Sequence, residues 1–241
     1  MSQNLCAGFV LHQLHYQENS VIIDVFTQQT GRVSIIAKGV RQQKSHYLGI
    51  LRPFLPLNIA FFGARELKTL RYVETLGTEM LLPGINTYCG FYLNELLRHF
   101  LPAGEPHTDI FISYVNCLQQ LKTERTQIEA VLRIFEIQLM QALGYELPLA
   151  EDYMTQQAIV PELNYRFDVL QGATADLNGK IQGATLLAMQ AQSFSTARQL
   201  SEAKWLMRQV IDSHLQGKKL QSRLLISKLM QKETCKSNSF Y

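Results

Sequence analysis

The 241-residue sequence predicts an α+β protein, with an amino-terminal five-stranded β-barrel in residues 1–80 and an α-helical domain in residues 81–241. Two features carry that expectation. From Leu5 to Thr75 apolar residues alternate or run in short blocks rich in Val, Ile, Phe and Tyr, which is the period of strands. After Pro83-Gly84 the spacing becomes helical, and no internal repeat or low-complexity tract interrupts either part.

Turn signals at Glu18-Asn19-Ser20, Gln28–Gly31, Gly39–Gly49 and Gly63-Ala64 divide the first part into strands at about Phe9–Tyr16, Ser20–Thr27, Arg32–Lys38, Leu51–Phe62 and Leu67–Leu76. Pro53 and Pro56 cannot donate to a ladder, so the fourth strand is an edge, carries a bulge or starts late. Five short strands suit a small closed or partly open barrel. The oligonucleotide-binding (OB) barrel stands first among these, with another small-barrel topology left open.

Helices are expected at Ile85–Leu101, ended by Pro102, and from Thr108 as N-cap to about Leu121, where Asp109 suits the positive end of the dipole. A third, Glu124–Leu143, gathers Ile128, Val131, Leu132, Phe135, Leu139 and Leu143 on one face and stops at Gly144. Residues 145–183 lose periodicity and collect Pro148, Pro161, Gly172, Gly179 and Gly183. They read as an irregular insertion with one short strand at Tyr165–Val169. Helical spacing returns from Leu186, is strong over Ser201–Leu215, and resumes from Lys219 to Met230, with Lys232–Tyr241 expected to fray.

A hydrophobic content of 46% is enough for a sizeable core. Cys6, Cys89, Cys117 and Cys235 lie far apart without C-x-x-C spacing, so reduced, mostly buried thiols are expected rather than a zinc site or redox pair. The amino terminus has no basic start before an apolar run, and no apolar stretch approaches the ~20 residues that span a bilayer. A soluble, cytoplasmic protein without a membrane partner is expected.

Charge is unevenly spread. Residues 1–31 hold Glu18 and Asp24 and no Lys or Arg, while residues 32–71 hold eight basic side chains against Glu66 alone. Residues 72–203 carry seven basic and fifteen acidic side chains, and residues 204–241 eight basic against Asp212 and Glu233. Two basic segments flanking an acidic middle point to a polyanionic partner, although either alone is also what a solvated surface looks like.

The stretch GRVSIIAKGVRQQKS, Gly31–Ser45, ends in Lys-Ser like a phosphate-binding loop. The second glycine of G-x-x-x-x-G-K-[ST] is missing and no helix follows, which excludes triphosphate binding there. His12 and His15, three apart on a strand, face opposite sides and make a poor metal pair. There is no G-x-S-x-G, H-E-x-x-H or dinucleotide fingerprint. Glu124, Glu129 and Glu136 on the third helix are explained by pairing with basic neighbours. No enzyme activity, cofactor or metal is expected.

The run from Phe9 to Leu76, including DVFTQQTGRVSIIAKGVR, together with YLNELLRHFL (92–101), LRIFEIQLMQALGY (132–145) and GKKLQSRLLISKLM (217–230), resembles the bacterial RecO family of recombination mediators. The resemblance covers most of the chain, only weakly over 146–200. It implies an OB barrel packed on a helical domain, binding of single- and double-stranded DNA, and annealing of complementary strands. It also implies work with RecR to load RecA onto DNA coated by single-strand-binding protein, and a nucleoid association during repair. Some relatives carry a four-cysteine zinc module in the region of 146–183; this chain has no cysteine there, so a structural zinc site is not expected.

On this reading Arg32, Lys38, Arg41 and Lys44, supported by Arg65, Lys68 and Arg71, neutralise phosphates along the barrel, and Lys218, Lys219 and Arg223 extend the track. Tyr47 is a candidate for base stacking or simple packing, whereas Phe61, Phe62 and Tyr72 are expected in the core. The resemblance places Leu132 and Arg133 where relatives bind the acidic, phenylalanine-ended tail of single-strand-binding protein, with Arg133 at the rim of an apolar groove. Pairing of Arg133 with Glu129 or Glu136 is the plainer alternative. The competing function class is a protein-interaction adaptor whose basic segments only solubilise it. A nuclease comes third, because the basic segments lack clustered carboxylates.

Overall fold

The structure, a computed structural model, describes residues 5–40, 45, 47, 49–123 and 127–237, by backbone only from 230 onward. Strands β1 (Cys6–Tyr16), β2 (Ser20–Thr27), β3 (Gly31–Ala37), β4 (Leu57–Phe62) and β5 (Leu67–Thr75) close into a barrel in the order β1-β2-β3-β5-β4. The β3–β5 pair is parallel and the others are antiparallel, with β4 returning to β1 through Cys6–Gly8. This is the OB barrel that the five-strand pattern predicts.

Period-2 alternation builds its interior. Val21, Ile23 and Val25, then Val33, Ile35 and Ala37, then Leu57, Ile59 and Val73 face one another in the barrel core. Pro53 and Pro56 both precede β4, so the fourth strand begins at Leu57 rather than Leu51; a late start is what the prolines impose.

Packing divides the chain into two compact units, Met1–Glu124 with Leu220–Tyr241, and Arg125–Lys219. The first holds the barrel with helices α1 (Ile85–Phe100), α2 (Thr108–Leu121) and α6 (Gln221–Ser237). Phe9 and Phe26 point out of the barrel onto Phe111 and Tyr114 of α2, with ring centroids 5.3–6.3 Å apart. A bulge makes Leu11 the extra residue of β1, and the Leu11 carbonyl accepts from Asn94 Nδ2 of α1 at 3.1 Å. Tyr114 Oη donates to Asn94 Oδ1 at 2.6 Å, completing a buried polar chain from strand to two helices. The Glu95 carboxylate accepts from the backbone N–H groups of Gln221 and Ser222 at the start of α6, where the helix dipole favours negative charge.

Several helix boundaries differ from expectation. Thr108 is the first residue of α2 rather than its cap; His107 holds the cap position without a side-chain hydrogen bond. Among the described residues the third helix, α3, is Ile128–Ala142, and Glu124 lies outside them. Helix α6 continues through Ser237 instead of ending near Met230.

The second unit contains α3, the strands β6 (Asn164–Asp168), β7 (Gly172–Ala175) and β8 (Ile181–Gln182), and helices α4 (Gly183–Gln190) and α5 (Ala197–His214). Where the sequence reads as irregular with one strand, the chain forms a three-stranded sheet in the order β7-β6-β8. Its extra strands are four and two residues long, too short for periodicity to register. Asp152 anchors this region by accepting from the backbone N–H groups of Met154, Thr155 and Ala175 at 2.9, 2.9 and 2.6 Å. Helix α5 starts earlier than Ser201 because Thr196 and Gln199 form a reciprocal capping box.

Candidate nucleic-acid interface

The parallel pairing of β3 and β5 organises the basic residues of the barrel. Ser34 lies opposite Leu67 and Ile36 opposite Thr69, so residues equally spaced from these partners emerge at the same end of the seam. Arg32 and Arg65 each lie two residues before the paired run, and Lys38 and Arg71 each two residues after Ile36 and Thr69. Lys68 is opposite Ile35 between them. Basic side chains therefore bracket the β3–β5 seam along about 20 Å of strand.

Each reaches its place for a local reason. Arg65 is exposed in the β4–β5 turn beside Gly63, whose φ of +123° suits glycine. Lys68 folds back so that Nζ donates to the Gly63 carbonyl at 2.9 Å. Ala60 pairs with Tyr72 and Phe61 with Leu70, which leaves Arg71 as the extra residue of a bulge and turns it to solvent. Lys38 is exposed immediately after β3. Arg32 is more constrained: its Nε donates to the Leu101 carbonyl at 3.0 Å, and its own carbonyl accepts from Gly104 N–H at 2.9 Å. It fastens the α1–α2 connection to the barrel. Arg41 and Lys44 lie outside the described residues.

Acidic groups on the barrel exterior are largely engaged. Asp24 accepts from Arg98 Nε at 2.9 Å and Ser34 Oγ at 2.7 Å. Glu74 accepts from Tyr72 Oη at 2.9 Å and Asn58 Nδ2 at 3.2 Å; that hydrogen bond, with the carboxylate's charge, raises the Tyr72 pKa. What remains is a positive field along the seam, suited to a phosphate chain.

The aromatic expectations need correction. Phe61 packs against the barrel core, but Phe62 is 56% exposed, because adjacent residues on a strand face opposite sides. The alternation in Leu57-Asn58-Ile59-Ala60-Phe61-Phe62 is the signal that reveals it. Tyr72 pairs with Ala60 on the outer side rather than filling the core. Tyr47 is half-buried against the barrel core.

The carboxy-terminal set is divided between the units. Lys218 and Lys219 are exposed in the stretch before α6, in the second unit. Arg223, in the first unit, lies over the Tyr92 ring of α1, its Cζ 5.5 Å from the centroid.

In the second unit Leu132 and Arg133 are both buried, Arg133 only 7% exposed. Arg133 pairs with Glu136 on the next turn, itself 1% exposed, and not with Glu129, which binds Lys204 at 2.7 Å. The expected rim position is therefore corrected to an interior one. Helix α3 packs on α5 and is buried on several sides, Arg133 among its buried residues. Further along α3, a cleft of about 380 Å³ has Ile137, Tyr145, Pro148 and Met189 in its lining, together with Glu146 and Glu151.

Among the described residues no cluster of three or more His, Cys, Asp or Glu side chains could hold a metal ion, and no helix is long and apolar enough to cross a membrane.

The family model described as Recombination protein O N terminal matches residues 1–78, and Recombination protein O C terminal matches residues 84–224. Proteins named DNA repair protein RecO from Methylococcus capsulatus, Azoarcus sp. and Dechloromonas aromatica are 37%, 35% and 38% identical over 220, 234 and 231 residues. These alignments cover 90%, 93% and 93% of this chain and 90%, 96% and 95% of the relatives. With both family models matched across the barrel and the helices, and relatives of this identity along nearly its whole length, the chain belongs to the RecO family.

Proposed function

We propose that the protein is a non-enzymatic mediator of recombinational DNA repair that binds single- and double-stranded DNA through its barrel and anneals complementary strands. The observation that carries this reading is the bracketing of the β3–β5 seam by Arg32, Lys38, Arg65, Lys68 and Arg71 on an OB barrel. Arg41 and Lys44 join this track in the proposal, and Lys218, Lys219 and Arg223 form a second basic set. Two positive surfaces on one molecule screen the repulsion between two phosphate backbones, which is what annealing needs, and no covalent chemistry is involved. The partners in this reading are DNA, RecR, the tail of single-strand-binding protein and, indirectly, RecA.

Tail recognition is assigned to Leu132 and Arg133, and it requires the Arg133–Glu136 pair to open. An acidic tail gains a bidentate partner only if Glu136 gives up the guanidinium.

The test is fluorescence-anisotropy titration of a ~30-nucleotide single strand across a salt series, where each neutralised phosphate contributes a slope of about −0.7. Engagement of about four phosphates gives a slope near −3, which flattens when Arg65, Lys68 and Arg71 are changed to alanine. A slope near zero, or one indifferent to these changes, rejects the barrel as the DNA-binding part.

A further inference from the structure

The cleft beyond the end of α3 has fixed walls. Helix α3 closes where the Gly144 N–H donates to the Gln141 carbonyl at 3.0 Å and the Tyr145 N–H to the Met140 carbonyl at 2.9 Å, with Gly144 at a φ of +80°. The chain then runs from Glu146 to Leu149 outside any helix or strand and is caught again at Ala150, whose carbonyl accepts from Ile159 N–H at 2.9 Å. Between these anchors Leu149 is buried, and Pro148 lies so close to Gly172 of β7 that a Cβ on the glycine would meet Pro148 Cγ at 2.7 Å. With Ile137 of α3 and Met189 of α4, this segment lines the cleft of about 380 Å³.

Three properties of the lining decide what fits. Ile137, Pro148, Leu149 and Met189 give it an apolar wall, and its volume is near the lower end of ligand sites, which suits a short segment and not a large cofactor. Its charge is of one sign: Glu146 and Glu151 are exposed, and no Lys, Arg or His lines the cleft. Among the described residues neither carboxylate forms an ion pair, and Glu146 meets Gln141 Nε2 at a long 3.5 Å. The main chain is also unused. Among the described residues, the N–H groups of Glu146, Leu147 and Leu149 and the carbonyls from 146 to 149 take part in no hydrogen bond within the protein.

Free main-chain donors and acceptors beside an apolar wall are what a peptide segment pairs with, main chain to main chain, while a side chain enters the cleft. Two carboxylates without a cation select the sign of its neighbours: a phosphate chain or an acidic tail is repelled, and Arg or Lys is attracted.

We infer that this cleft docks a segment of a partner protein in which a large apolar side chain is flanked by Arg or Lys. The charge preference is the reverse of that in the tail recognition assigned to Leu132 and Arg133, and the inference does not rest on the barrel's binding of DNA.

Fluorescence anisotropy with the full chain tests it. The probe is a short labelled peptide with one leucine between two pairs of arginines, compared with the same peptide carrying glutamates for the arginines or glycine for the leucine. The parent is expected to bind the arginine–leucine peptide, to bind the glycine peptide about tenfold more weakly for want of the buried side chain, and not to bind the glutamate peptide. Changing Glu146→Gln and Glu151→Gln together keeps the shape, the urea midpoint and the DNA affinity, and is expected to weaken the arginine–leucine peptide about tenfold, each exposed ion pair contributing about threefold. Ala150→Trp puts a large ring into the lining and is expected to abolish binding. Absence of binding to the parent overturns the inference, as does an affinity within twofold of the parent in the double glutamine variant. Equal binding of the leucine and glycine peptides reduces the effect to attraction between charges and overturns the docking site. Tighter binding of the glutamate peptide gives the cleft to acidic tails, and a concentration-dependent dimer that the double glutamine variant loses in sedimentation gives it to a second copy; either result overturns the assignment.

Discussion

Asn94 shows how one buried polar residue ties three elements together. Its amide donates to the Leu11 carbonyl that the β1 bulge presents, and its oxygen accepts from Tyr114, whose own pKa is raised by complete burial and by nearby Cys117. Changing Tyr114 to Phe keeps the ring contacts with Phe9 and Phe26 but strands the Asn94 oxygen in the interior. The expected cost is about 1–2 kcal/mol, read as a lower urea midpoint with an unchanged m value. Gly31 is constrained just as tightly: with φ at +73°, a Cβ there would sit 1.7 Å from the Glu105 carbonyl oxygen. Neither constraint is visible in the sequence, because both depend on what another segment brings within reach. Phe62 is the opposite case, since its outward position follows from counting along its own strand.

At the scale of the element, helix α3 carries the largest difference between pattern and structure. Its apolar residues match the predicted face, yet Arg133 and Glu136, which helical spacing places as surface neighbours, are both interior. Removing one member of a buried pair strands the other charge, so Arg133→Ala is expected to destabilise the protein by about 3–5 kcal/mol. Replacing both, Arg133→Met with Glu136→Leu, is expected to recover most of that loss. Chemical denaturation of the three variants measures it. The double variant, once shown to be folded, also tests tail recognition, since parental affinity for an acidic phenylalanine-ended peptide would exclude Arg133 from that role.

For the whole molecule, acid is expected to act on the two units in different pH ranges. His12, beside Arg98 and Asp24 on the barrel, has its pKa lowered below the ordinary 6.5, first by burial and then by the Arg98 charge, against the opposing pull of Asp24. The folded state disfavours the imidazolium, so the stability tied to neutral His12 is complete above about pH 6.5 and declines as pH falls through the lowered value. In the second unit, burial tends to raise the carboxyls of Asp152 and Glu202, but their hydrogen bonds win and hold both below 3.8 and 4.5. Their stabilisation is complete above those ordinary values and is lost only as pH falls through the lower folded ones. Urea midpoints between pH 7.5 and 5 should therefore fall in the parent and fall less in His12→Gln, while Asp152→Asn leaves the shape of this range unchanged.

Much of the molecule was legible beforehand because strand and helix periods are local. The five barrel strands, α1, the apolar face of α3 and the basic character of residues 32–71 all follow from side chains a few positions apart. The short strands β7 and β8, the interior place of Arg133 and the alignment of Lys38 with Arg71 do not. Each depends on which distant segment lies alongside: β6 for the short strands, the elements packed on α3 for the arginine, and the parallel β3–β5 register for the basic track. Periodicity tells a residue which side of its own element it occupies; only the pairing of elements determines what faces it there.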